Sequence, residues 1–180
     1  MAETFKLPCS SYEELIKLFQ AYANTKEGTA LSLDEITQAT GVPRTIVSKN
    51  NGFMVQVGLI TEGNKKAATE TGRALGRAYT SKITDEVERI WKEIIAEVDF
   101  LNRMLSAVRI RNGMDRSSFI NHIIYSSGLK DAKESRAGAG ALIEIFKSVG
   151  VLSEVDGKLA NLCRCLVNPR ERTTNTPQPK

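Results

Sequence analysis

The residues best suited to chemistry with a partner are concentrated in one short window. From Ile36 through Thr61 there is no Asp or Glu, and the window carries Arg44, Thr45, Ser48, Lys49, Asn50, Asn51 and Gln56. Such side chains donate to phosphate oxygens or pair with base edges, whereas carboxylates among them would be repelled by phosphate. Lys65 and Lys66 follow in LITEGNKKAAT. Catalytic arrangements are missing. The single histidine, His122, lies between apolar residues in FINHIIYS, and Glu13-Glu14 and Asp34-Glu35 fall in first helical turns, where the helix dipole accounts for them. No nucleotide loop or nucleophile elbow occurs, so the chain reads as non-enzymatic and free of cofactors. Cys9, Cys163 and Cys165 form no disulfide framework. A Cys-x-Cys pair supplies two thiolates where tetrahedral zinc needs four ligands, so no metal site is expected.

These donors need elements to hold them. In YEELIKLFQAYA, residues 12–23, Leu15, Ile16, Leu18, Phe19 and Tyr22 share one helical face, with Ser10 or Ser11 as cap. LSLDEITQAT predicts a short helix from Ser32 to Gly41. Pro43 suits the first turn of the next helix, which buries Ile46, Val47, Phe53, Met54 and Val57 and stops at Gly58. LITEGNKKAAT predicts strand, Gly-Asn turn, strand, and TETGRALGRAY returns to helical spacing. Two short helices across a Gly-containing turn, followed by a hairpin, make a helix-turn-helix with a wing. Residues 12–79 resemble the winged helix family, most specifically in LDEITQATGVPRTIVSKNNGFMVQVGLI and in TETGRAL. The resemblance implies that Arg44, Thr45, Ser48, Lys49, Asn50 and Asn51 face a DNA groove and that Lys65 and Lys66 meet the backbone from the wing.

From Ile83 the pattern predicts one long helix, with a stripe through Val87, Ile90, Trp91, Ile94, Val98, Leu101, Leu105 and Val108, stopped by Asn112-Gly113. Its length of about 26 residues, ~39 Å, suits wrapping the first domain, bridging two domains, or pairing with a second copy. The chain also repeats itself. Val57-Gly58-Leu59-Ile60-Thr61-Glu62 recurs as Val149-Gly150-Val151-Leu152-Ser153-Glu154 at a constant offset of 92 residues. Upstream, DRSSFINHIIYSSG and AKESRAGAGALIEIFKSVG read as two more helices, with a slip of about five residues between the copies. The second of them mixes Asp131, Lys133, Glu134, Arg136 and Glu144, which suits protein contacts better than DNA. Its small residues, Ala137 to Ala141, invite close backbone approach.

The expected fold is therefore mainly α with small β-hairpin wings: two winged helix-turn-helix domains joined by a long helix. The boundaries are 10–80 for the first, 83–111 for the connecting or dimerisation helix, 112–162 for the divergent second, and 163–180 for a disordered basic tail. That tail carries a formal +3 of the chain's net +4, so the basic balance says little about the folded part. No apolar run approaches the roughly 18 residues of a membrane helix, and the start lacks a secretory signal; a reduced, cytoplasmic setting is expected. The expected function is duplex-DNA binding by a transcriptional regulator, as a homodimer or through tandem domains. The alternatives are a scaffold that binds proteins, or a plasmid or phage replication or partition protein.

Overall fold

A computed structural model describes residues 4–162; the tail predicted over 163–180, with Cys163 and Cys165, lies outside the described residues. Four helices fill the first half: α1 (Tyr12–Ala23), α2 (Leu33–Thr40), α3 (Arg44–Gln56) and α4 (Glu70–Thr80). They begin where the chain offers caps. Ser11 accepts from the Glu14 N–H, Ser32 and Glu35 form a reciprocal capping box, and Thr69 accepts from the Gly72 N–H. Helix α2 ends on Gly41 at φ 73°. The expected hairpin after α3 is reduced to isolated pairings, Ile60 with Ala68 and Leu31 with Lys66. The pairing stops short of the turn: Thr61 N–H still donates to the Ala67 carbonyl, and the Lys66 backbone pairs with Leu31 instead of continuing the hairpin.

The single long helix predicted over 83–111 is not formed. It is two helices, α5 (Thr84–Glu97) and α6 (Asp99–Ile110), broken at Val98, whose backbone is extended at φ −87° and ψ 102°. One extended residue leaves the three-and-four spacing intact, which is why periodicity alone did not reveal the break. The break changes the partners: α5 packs on α4, whereas α6 packs on the sheet of the second half.

That second half contains β1 (Met114–Asp115), α7 (Arg116–Ser127), α8 (Lys133–Ser148), β2 (Leu152–Val155) and β3 (Lys158–Asn161). The strands form an antiparallel sheet in the order β1-β3-β2, with Met114 opposite Leu159 and Ser153 opposite Ala160. Here the hairpin turn is tight, because Asp156 and Gly157 both take positive φ. The repeat appears as the same sequence of parts: helix, short extended pairing, helix, helix, ribbon. Asp115 caps α7 as Ser32 caps α2, and Gly128 ends it at φ 74°. Hydrogen bonds from Leu59 N to Met54 O and from Val151 N to Phe146 O close α3 and α8 alike, at the offset of 92. The five-residue slip is now placed: three residues by helix length, 16 against 13, and two in the preceding loop, 129–132 with Gly128 against 41–43.

The two halves share one buried apolar cluster, running from Phe5 through Phe19, Phe53 and Trp91 to Phe146 and Leu159. No helix among the described residues is long and apolar enough to cross a membrane. Inside the cluster, the Trp91 indole N–H donates to the Tyr79 hydroxyl at 2.9 Å, Tyr79 bonds Tyr12 at 2.9 Å, and Tyr12 donates to Ser148 at 3.2 Å. This chain of bonds joins α5, α4, α1 and α8. Helices α1 and α4 approach closely at Gly76, where an added Cβ would run into the Phe19 carbonyl oxygen and the Ala23 methyl. In an open helix Gly→Ala stabilises by about 1 kcal/mol. Here Gly76→Ala has to spread the two helices, and overpacking of this kind costs about 1–3 kcal/mol; the urea midpoint is expected to fall rather than rise.

Candidate nucleic-acid interface

Helix α3 has an outer face at its N-terminal end and a covered face toward its C-terminal end. Arg44, Thr45 and Ser48 are exposed on the first turns, and the Arg44 guanidinium pairs with Asp34 of α2 at 2.5 Å. This pair is exposed on both sides, so solvent screens it and it competes weakly with another anion. Lys65 is exposed at the ribbon, while Lys66 is half-buried and donates its ammonium to the Gly63 carbonyl at 2.9 Å. Lys49 is exposed but engaged: its ammonium meets the Glu134 carboxylate of α8, which holds the lysine pKa above its ordinary value.

Two expected contacts are overturned. Asn50 is fully buried at 0% exposure, its Oδ1 accepting from the Cys9 N–H at 2.9 Å and its Nδ2 donating to Ser10 at 2.8 Å. Asn51 is 2% exposed, and its Oδ1 accepts from the Tyr22 hydroxyl at 3.0 Å. Neither side chain reaches a groove from outside. Their position on the inner flank of α3 is set by Val47, Phe53 and Met54, which fix the helix rotation by burial in the core.

What covers that flank is the segment 4–10, a strap with no counterpart in the expected domains. Phe5 and Leu7 are buried, with Phe5 stacked on Phe100 at 4.1 Å between ring centroids and edge-on to Phe53. The strap's backbone is held by side chains of α3: Lys6 N–H donates to Gln56 Oε1 at 2.6 Å, and Cys9 N–H donates to Asn50. On its other side Pro8 rests on α8, where a Cβ at Gly138 would collide with the Pro8 carbonyl. At Gly138 the small-residue run of α8 thus receives the backbone of the strap. A sequence signal existed in Phe5-Lys6-Leu7, an apolar-polar-apolar alternation. Burial also pushes the Cys9 thiol up to about 11, so little of it is thiolate at neutral pH.

Helix α8 occupies the place in the second half that α3 holds in the first, and it is turned inward. Seven of its residues are buried, from Gly138 to Phe146. Its charges are largely spent within the chain: Arg136 pairs with Asp131, and Glu144 and Lys147 join Arg116 and Glu154 in a partly shielded network. His122 on α7 has its pKa lowered, first by burial and then by Arg111. Comparison with family models, with curated proteins and with solved structures gives no match to this chain.

Asn50→Ala leaves the Cys9 N–H and the Ser10 hydroxyl buried without partners, which costs about 2–3 kcal/mol. Chemical denaturation is expected to show that loss.

Proposed function

We propose that the chain binds duplex DNA and acts as a transcriptional regulator, through a winged helix-turn-helix formed by α2, α3 and the 60–68 ribbon. The observation that carries this is the exposed N-terminal end of α3, which presents Arg44, Thr45 and Ser48 with no carboxylate from Ile36 to Thr61 and stands in one unit with Lys65 and Lys66 of the ribbon. In helix-turn-helix proteins the N-terminal residues of the second helix contact base edges, and those are the positions the strap leaves open. The repeated order of helix, pairing, helix, helix and ribbon supports a tandem winged arrangement, with 10–80 and 112–162 as its halves and α5 and α6 between them. In this arrangement one half reads DNA, and the other braces it.

A second reading, a scaffold for protein partners, is favoured by one observation. Helix α8 and the inner flank of α3 are already committed to contacts within the chain. The two readings part on duplex binding. The DNA reading expects affinity that falls steeply with salt and drops about three- to tenfold on Lys65→Ala. Glu134→Gln, which releases Lys49, is expected to raise affinity and to steepen the salt dependence by about one ion. Fluorescence anisotropy with a labelled duplex measures both. Absence of binding at low salt supports the scaffold instead.

A further inference from the structure

The acid-free window of the sequence is not acid-free in space. Both cations of α3 meet a carboxylate from another element: Lys49 meets Glu134 of α8, and Arg44 meets Asp34 of α2. The second pair lies wholly within the helix-turn-helix. Asp34 is available for it because its neighbour Glu35 is spent on the Ser32 backbone and hydroxyl. Stability does not account for the arrangement. The Arg44 and Asp34 side chains are 60% and 64% exposed, and pairs so open to water add little to folding. Arg44 is also the first residue of α3, where the helix dipole disfavours a cation, and α3 begins without the side-chain cap that opens α1, α2 and α4. Broken local rules of this kind fall at positions kept for function.

The guanidinium remains open to a further partner. One of its five N–H groups, on Nη1, goes to Asp34, and among the described residues the rest have no partner. The Nε and Nη2 protons lie side by side along the free edge, a fork that fits two acceptors in one plane. Phosphate and guanine both offer such acceptors. The carboxylate decides between them. A phosphate at the fork would bring negative charge close to Asp34, whereas the O6 and N7 edge of guanine carries no net charge. With Asp34 in place the pair is neutral overall, so it gains little from the backbone and keeps its hydrogen bonds for a base.

We infer that Asp34 is a positioning residue, which holds Arg44 so that its free edge reads a guanine in the major groove and is turned away from phosphate. This names the base that the open end of α3 selects, and it rests on the DNA reading given above. Contact with phosphate is left to Lys65 on the ribbon.

Selection of bound sequences from a random duplex pool by the whole chain, followed by fluorescence anisotropy on the selected site, tests the assignment. The parent is expected to select a guanine at one position and to lose affinity about tenfold when that G·C pair becomes A·T. Asp34→Asn keeps the shape and removes the charge. Its preference at that position is expected to fall to about threefold or less, while binding to unselected duplexes strengthens and the salt slope steepens by about one. Asp34→Asn combined with Arg44→Ala deletes a neutral pair, so the preference disappears and the slope returns to that of the parent. Asp34→Glu, which retains the charge, restores the preference. Urea midpoints close to the parent's show that the variants are folded. Uniform weakening on every sequence, the mark of a mere brace between α2 and α3, overturns the role of Asp34 and keeps the DNA reading. So does a guanine preference unchanged in Asp34→Asn, or duplex binding by the parent with no selected guanine. A parent that binds no duplex at low salt overturns both.

Discussion

Asn50 closes both ends of its amide on the strap, and Pro8, two residues before the bonded Ser10, lies on the bare backbone of Gly138. Between these contacts runs the seam that organises the molecule. A side chain at 138 larger than hydrogen would lift the strap from α8, and without the strap the polar flank of α3 would face open space with its asparagine unpaired. The cover over the inner flank of α3 follows from this seam. So does the division of α3 into an open N-terminal end and a covered remainder. Phe5, stacked on Phe100 of α6, adds apolar burial of about 1.5–3 kcal/mol to a joint otherwise made of hydrogen bonds.

The two halves show how one topology is turned to two uses. Both have a helix capped by a short polar residue and ended by a left-handed glycine, then a second helix closed by the same hydrogen bonds into a ribbon. In the first half the second helix keeps donors on its outer end and lacks acids there. In the second half that helix is three residues longer, carries acids that pair with neighbouring lysines and arginines, and has a face of glycine and alanine. Small residues and internal ion pairs suit a surface that touches the chain itself, because they permit close packing and leave little charge for a partner.

Much of this was legible in the residues, and what was not has identifiable causes. Caps and stops were readable because they are local: Ser32 with Glu35, and Gly41 and Gly128 at positive φ, act within a turn of themselves. The repeat was readable because its conserved spacing covers a helix end and a ribbon. The break at Val98 was hidden because one extended residue preserves the apolar spacing on both sides. The ribbon of the first half was overread, since Lys66 gives its backbone to Leu31 instead of to the other arm of the hairpin, a pairing between distant segments that the local Gly-Asn signal does not carry. Asn50 and Asn51 looked like surface donors because residue type reveals chemistry but not facing. Asn50 is held by a strap about forty residues away and Asn51 by Tyr22 of α1, which no periodicity within α3 could register.

The strap also sets an order of assembly. Pro8 and Gly138 lie 130 positions apart, so one wall of the groove that receives the segment is made long after the segment itself emerges from synthesis. Until α8 is in place, Leu7 and Pro8 lack the wall that Gly138 provides. Contacts of such long separation form late and slowly, because closing the intervening loop costs entropy before any burial is gained. The final shape of the surface around α3 therefore depends on a contact between segments 130 positions apart, and every disturbance of α8 at Gly138 reaches α3 through the strap.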